Sequence, residues 1–434
     1  MSILFTNVTA VTMDPENPAL KDAFVAVEGT KIASVGAERP EGEFDRVIDC
    51  TGRVMMPGLV NAHTHVPMAL LRGYGGGHDL QHWLNDWIFP AEARLDDRCV
   101  AAGAALGLAE MIASGTTCIA DMYMHTGVIA RTVLEAGISA NLSCGGLYFG
   151  DPADFSEKTC NDCKNQIALT EEWHGAGDGQ IIVDASIHGE YTSSAPLWRW
   201  MAGYAQKHGL GMHVHVSETK KEHEDCKGRN GGLTPIQTLD RYGVWENGGH
   251  AAHCVWVTEE DMAIMAKKNV TAVHNPVSNL KLASGVARVP ALLKAGVNVA
   301  LGTDGVASNN SHDLFEEIKL AAILHKGITG DPTAVSALEA LSMATVNGAR
   351  ALGRDAGVIA PGKIADLILL DFTAENLFPC HDVPENLVYS ASGSNVVMNM
   401  ARGNIIYENG EFLTLDLEKI RAEVQNYALP HIFG

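Results

Sequence analysis

The chain has 434 residues, of which 46% are hydrophobic and 19% charged, and its formal net charge is −21. Such a length supports a large core with an accessory domain. The acidic balance argues against nucleic acid and anionic membranes as partners, because their phosphates would repel the surface.

The first residues carry no basic stretch leading into a long apolar one, so no signal peptide is expected. Residues 3–5 and 9–13 read as short strands separated by turn residues. Residues 23–27 and 31–35 flank Glu28-Gly29-Thr30, a glycine-containing turn between β-rich runs that signals a hairpin. From Gly58 to about Gly353, apolar runs alternate with helical patterns, the signature of a parallel α/β architecture. Eight strand candidates stand out: 59–66, 117–124, 138–147, 180–190, 210–218, 249–257, 270–275 and 297–304. Segments between them, such as 97–113 and 313–324, carry Ala, Leu and Glu at helical spacing. Residues 365–370, 396–400 and 404–407 then resume the β pattern of the N-terminal part.

The predicted architecture is a (β/α)8 TIM barrel over residues 58–358. It is set into a small β-sandwich built from residues 1–57 and 359–434, the latter including a terminal helix. No apolar run reaches the length of a membrane span. Nine cysteines are scattered without framework spacing, which fits reduced thiols in the cytoplasm. Cys160 and Cys163 form the one close C-x-x-C pair, but no second pair lies near it, and a structural role is expected.

The ends of the predicted strands collect polar residues. The first gives His63 and His65, which share a face because strand side chains alternate. The fifth gives His213, His215 and then Glu218; the sixth His253; the seventh His274; the eighth Asp304. A packing histidine explains any one of these, whereas the set converges where barrel enzymes build their active sites. Parity does not separate His213 from His215, but Glu218 lies nearer His215, which makes His215 the better ligand and gives His213 a supporting role. His63, His65, His215 and Asp304 would hold one divalent metal ion, with Zn²⁺ first and Fe²⁺ or Mn²⁺ as alternatives.

The chemistry that follows is hydrolytic. A metal lowers the pKa of water from about 16 to about 7 and so supplies hydroxide near neutral pH. Glu218 is placed to shuttle the proton a leaving group needs, a role worth roughly 100- to 10,000-fold in rate. His253 would stabilise developing charge or orient the attacking oxygen.

On these residues the chain resembles the amidohydrolase superfamily, in its aminohydrolase branch. The matching elements are the run Pro57-Gly58-Leu59-Val60-Asn61-Ala62-His63-Thr64-His65, then His215-Val216-Ser217-Glu218, Ala252-His253-Cys254 and Gly302-Thr303-Asp304-Gly305. Within that branch it is similar to the 5-methylthioadenosine/S-adenosylhomocysteine deaminase family. The stretches that carry this are Met68-Ala69-Leu70-Leu71-Arg72-Gly73, the run from His274 to Leu282, and Thr303-Asp304-Gly305-Val306-Ala307-Ser308-Asn309-Asn310. The resemblance implies an amidohydrolase-type barrel with a split β-domain and a mononuclear metal on His63, His65, His215 and Asp304. It also implies that Glu218 protonates the ring nitrogen beside the attacked carbon, that Asp304 takes a proton from the attacking water, and that His253 assists. Binuclear relatives use a carboxylated lysine after the fourth strand, and here the run from Ile181 to Glu190 contains none.

The resemblance further implies a small-molecule substrate, a 6-aminopurine nucleoside such as 5′-methylthioadenosine, 5′-deoxyadenosine, adenosine or S-adenosylhomocysteine. Glu92 falls where nucleoside deaminases place a glutamate on the ribose hydroxyls, and His188 matches a histidine that contacts the purine ring. Two departures stand out. Gly189-Glu190-Tyr191 replaces the usual Ser-Pro or Ala-Pro, and neither 143–147 nor 159–163 supplies the arginines that hold a homocysteine tail. A neutral 5′ group is therefore favoured over a carboxylate tail. A free base or an s-triazine would leave Glu92 unpaired, and a non-catalytic scaffold would normally have lost the ligands that remain here. Assembly into a homo-oligomer is compatible with all of these readings.

Overall fold

The computed structural model describes residues 2–434. Strands from both ends of the chain share one nine-stranded sheet. Ser2–Val11 pairs antiparallel with Ala19–Glu28 and parallel with Arg46–Asp49 and Arg53–Pro57. Arg53–Pro57 in turn pairs antiparallel with Leu367–Asp371, and the sheet continues through Val396–Ala401, Asn404–Glu408 and Glu411–Phe412. The predicted strands 3–5 and 9–13 are thus one strand. Its pairing slips between Phe5 and Val8, where Asn7 takes φ +54°, a left-handed conformation that asparagine tolerates.

Leu59–Thr64, Thr116–Met122, Ser139–Ser143 and Ile181–Val183 form one parallel sheet. Ala185–Gly189, Met212–Val216, Gly249–His253, Val270–His274 and Val299–Leu301 form a second. The first three strands are buried along their whole length, as expected of parallel strands covered on both faces. The single predicted strand 180–190 is interrupted at Asp184. There the chain changes partners: the Asp184 N–H donates to Leu142 O, and the Ala185 N–H donates to Gly211 O, both at 3.0 Å. At the far edge the Asp304 N–H donates to His63 O at 3.0 Å, which brings the end of the last strand beside the end of the first.

That last strand is shorter than the predicted 297–304 and stops at Leu301. A Cβ on Gly302 would lie 2.5 Å from Asn275 Oδ1 and 2.8 Å from His63 O, so the chain passes this point only as glycine. It then turns at Asp304, with φ +61°, and leaves the sheet.

The helix Asp97–Ala113 is capped by Asp96, whose carboxylate accepts the Cys99 N–H at 2.8 Å. Gly103 and Gly107 let it close on the turn Val66–Leu71, where added Cβ atoms would come within 2.6 Å of Pro67 O and 2.8 Å of Val66 O. This contact fixes the segment that follows His65. The terminal helical turns Leu417–Glu423 and Val424–Ala428 lie against the same helix, and Leu429–Phe433 follows against Phe89–Glu92. Arg98 pairs with Glu423 at 2.8 Å, and the Tyr427 hydroxyl donates to Asp96 at 2.5 Å. Ile119, Ile138, Leu142 and Ile181 are fully buried between strands and helices, each worth about 1.5–3 kcal/mol. Among the described residues no helix is long and apolar enough to cross a membrane.

Candidate active site

His63, His65, His215 and Asp304 meet at the C-terminal ends of the parallel strands. Oδ1 of Asp304 lies 3.4 Å from His63 Nε2 and 3.2 Å from His65 Nε2, and His215 Nε2 lies 3.3 Å from His65 Nε2. The other carboxylate oxygen, Oδ2, accepts hydroxyl bonds from Ser278 at 2.6 Å and Ser308 at 2.8 Å. Asp304 therefore presents one oxygen to the imidazoles and has the other tied back.

The ring orientations follow from backbone carbonyls. His65 Nδ1 faces Met122 O at 2.6 Å and His215 Nδ1 faces His188 O at 2.8 Å. A carbonyl only accepts, so both Nδ1 atoms carry the hydrogen, and in the neutral rings both Nε2 atoms are lone pairs. Two lone pairs and a carboxylate oxygen at such separations repel unless a positive charge lies among them. The same demand is visible in the titration of the groups. Burial works against a charged His65, but Asp304 outweighs it and pushes the ring up to about 9. Burial likewise opposes ionisation of Asp304, yet His63 and His65 beside it hold its carboxyl well below the usual range. His63 Nε2 is buried without a hydrogen-bond partner. Imidazole nitrogens and one carboxylate oxygen are a donor set that fits a divalent metal ion.

Glu218 and His253 stand beside this cluster. Glu218 follows Ser217, whose φ of +49° turns the chain inward after the strand Met212–Val216. Glu218 Oε2 is 3.7 Å from His253 Nε2, and its Oε1 accepts from the Ser284 hydroxyl at 3.4 Å. Burial raises the Glu218 carboxyl, with His253 opposing, so a proton on this group is accessible. His253 Nδ1–H donates to Asn279 Oδ1 at 2.8 Å, leaving Nε2 toward Glu218.

A cavity of about 680 Å³ opens above these groups and is lined by His65, His188, His215, Glu218, His253 and Asp304 at its base. Glu92, at the end of the short helix Phe89–Glu92, is buried in its wall, and burial raises its carboxyl. The neighbouring Tyr123 hydroxyl, hydrogen-bonded to that carboxyl, works against the rise. His188 pairs through Nδ1 with the Thr192 hydroxyl at 3.1 Å, and burial lowers its ring to about 4. Of the strand-end set and the two substrate candidates, His63, His65, Glu92, His188, His215, Glu218, His253 and Asp304 therefore lie together. His274 does not line the cavity; its ring stands 5.4 Å from that of His325. Cys163 packs into the hydrophobic core at the start of the helix Asn161–Trp173.

Sequence reasoning missed Ser278, Ser284, Ser308, Asn279 and Tyr123 as individual partners, since single hydroxyls and amides in loops or in a short helix such as Pro276–Lys281 carry no spacing signal. It also missed Arg131, which lines the outer cavity from the helix Thr126–Ala136 and lies 6.0 Å from the Trp173 ring. The arginines sought were those after the third strand, and this one follows the second.

A model of the amidohydrolase family matches residues 54–406. The chain is 44% identical to a 5′-deoxyadenosine deaminase of Methanothermobacter thermautotrophicus, over 94% of this chain and 95% of the relative. It is 44% identical to a 5-methylthioadenosine/S-adenosylhomocysteine deaminase of Moorella thermoacetica, over 97% and 98% of the two chains. Among solved structures it is similar to an adenosine deaminase from Xanthomonas campestris with bound zinc. That match has a TM-score of 0.93 and 33% identity, covering 99% of this chain and 98% of the other. With the family's pattern spanning most of its length and its α/β fold shared with these enzymes, the chain belongs to the amidohydrolase family.

Proposed function

We propose that this chain is a metal-dependent deaminase that converts a 6-aminopurine nucleoside and water to the 6-oxo nucleoside and ammonia. One observation carries the reading. A single cavity holds the inward-facing imidazoles with Glu218 at its base and a buried carboxyl, Glu92, in its wall. A carboxylate accepting from a vicinal diol suits a ribose, and the relatives named for nucleosides support the same substrate class. Their names also support a 5′-deoxy or 5′-methylthio group, which fits a wall that includes Trp83, Phe89 and Leu147.

Held by His63, His65, His215 and Asp304, a divalent ion, Zn²⁺ in this proposal, would lower the pKa of water to about 7 and supply hydroxide. Glu218 donates its proton to the ring nitrogen beside C6 as that carbon is attacked, so the negative charge has somewhere to go. Asp304, held ionised, accepts a proton from the attacking water. The Glu218 carboxylate then takes the proton of the new C6 hydroxyl and passes it to the amine, the C6–N bond breaks as the carbonyl forms and ammonia leaves, and the proton held by Asp304 returns to Glu218. His253, with Nδ1–H committed to Asn279, offers Nε2 to orient the attacking oxygen. His188, with Nδ1 committed to Thr192, turns its other edge to the purine.

The fold supports two architectural inferences as well. The strand-end contact between Asp304 and His63 supports a closed (β/α)8 barrel over residues 58–358, and the shared sheet supports a β-sandwich from residues 1–57 and 359–434.

The test is ammonia release from 5′-deoxyadenosine, 5′-methylthioadenosine, adenosine, S-adenosylhomocysteine, adenine and guanine, with zinc-loaded and chelator-stripped protein. Turnover of the first three by loaded protein alone is expected. Turnover of the bases but of no nucleoside would overturn the substrate assignment.

A further inference from the structure

The geometry points to His213 as a positioning residue: with Ser143 it forms a directional hydrogen-bond chain that fixes which nitrogen of His63 faces the metal site. This rests on the metal-site reading above and adds to it a residue that touches neither metal nor substrate. The chain begins at a backbone carbonyl. The Ser143 hydroxyl stands 3.3 Å from Asp121 O, which can only accept, and the polarity that leaves His63 Nε2 free places the one hydroxyl hydrogen there. Ser143 Oγ also lies 3.1 Å from His213 Nδ1. With its hydrogen already used, Oγ accepts in that contact, and His213 Nδ1 carries the proton. In a neutral ring this leaves His213 Nε2 as a lone pair, and it faces His63 Nδ1 at 2.8 Å. His63 Nδ1–H must then donate, and His63 Nε2 becomes a lone pair aimed at the cluster of His65, His215 and Asp304.

The alternative polarity puts a hydrogen on His63 Nε2, where it would block metal binding. His213 is only 1% exposed and His63 is fully buried, so water has no access to reverse the chain. His65 and His215 are oriented by carbonyls directly, whereas His63 reaches its carbonyl through two side chains. That makes His63 the one imidazole of the set whose orientation depends on replaceable residues.

The experiment compares wild type with His213→Leu, His213→Gln and Ser143→Ala. Each protein is stripped with chelator and titrated with Zn²⁺ against a chromophoric competitor, and thermal unfolding of the stripped proteins is followed in parallel. His213→Leu removes the acceptor and should weaken zinc binding by about 10- to 100-fold. His213→Gln keeps an oxygen acceptor for His63 Nδ1–H and should bind close to wild type. Ser143→Ala frees the His213 tautomer and should give a smaller loss. Wild-type affinity in His213→Leu, or equal losses in the Leu and Gln variants, would overturn the proposal while leaving the metal site intact. Should stripped His213→Leu fail to fold, Ser143→Ala decides, and unchanged affinity there counts against the chain. A wild type that takes up no zinc removes the metal reading and this inference together.

Discussion

Oε2 of Glu222 accepts the backbone N–H of Glu218 at 2.7 Å, so one buried glutamate anchors the peptide that carries the other. Its Oε1 accepts the Ser217 N–H at 2.8 Å, at the residue whose left-handed backbone starts the turn. Glu222→Ala would leave two buried N–H groups unpaired, at about 1–3 kcal/mol each. The expected result is a lower urea midpoint together with a fall in kcat, because Glu218 loses its anchor, while zinc stoichiometry is kept. Unchanged kcat would show that the turn holds without Glu222.

Glu218→Gln tests the proton shuttle more directly. The amide fills the same space beside Ser284 and His253 but has no proton to give a ring nitrogen. Turnover should drop by about 100- to 10,000-fold, with bound metal and thermal stability near wild type. Undiminished ammonia release would remove Glu218 from the role.

Glu92 is expected to read the ribose. Sites built to accept from a hydroxyl reject analogues lacking it by up to about 10⁴-fold. Wild type should therefore favour adenosine over 2′,3′-dideoxyadenosine in kcat/KM, and Glu92→Ala should erase most of that preference. A preference that survives the substitution would place the sugar elsewhere in the cavity.

The hydroxyls of Ser278 and Ser308 leave Asp304 a single free oxygen. Replacing both serines with alanine frees the carboxylate to rotate, and zinc affinity should weaken by about 10- to 100-fold. Competition titration measures this, and an affinity equal to wild type would show that packing alone orients Asp304.

Away from the site, burial pushes the Glu317 carboxyl up to about 8 from its ordinary 4.5, although it accepts from the Val277 N–H and the Asn309 amide. Above the lower value the unfolded chain releases this proton while the folded chain keeps it. Stability contributed here is thus full below the unfolded value and lost as pH rises through the folded one. Glu317→Gln has no such proton. Whatever offset the amide brings, the variant's urea midpoint relative to wild type should rise between about pH 5 and about pH 9. A difference that stays flat over that range would show that Glu317 is ionised in the folded protein throughout.

Much of the site was legible in the sequence because its chemistry sits on regular structure. His63 and His65 share a face by strand alternation, and His215, His253 and Asp304 each close an apolar run. The alternation rule could not rank His213 against His215, and the structure separates them by partner: His215 faces His65, whereas His213 faces the back of His63. What escaped was decided by loops and close approaches. Ser278, in the short helix Pro276–Lys281, and Ser308, in a turn, converge on one oxygen. The early end of the last strand follows from Asn275 and His63 crowding Gly302, contacts between residues far apart in the chain. The break at Asp184 arises because two neighbouring strands compete for one run of peptide groups, and hydrophobic pattern says nothing about a change of partner.

The carbonyls of Met122 and His188 receive the outer N–H of His65 and His215, and the carbonyl of Asp121 ends the route from His63. A carbonyl belongs to every amino acid alike, so no single side-chain replacement deletes any of these three acceptors. Drift in the side chains at 122 and 188, both in the cavity lining, can reshape it while the acceptors that orient His65 and His215 stay in place. Such a scaffold separates two kinds of heritable change. Substrate preference is open to revision residue by residue, while the orientation of His65 and His215 is inherited with the fold itself and only that of His63 hangs on the side chains of His213 and Ser143.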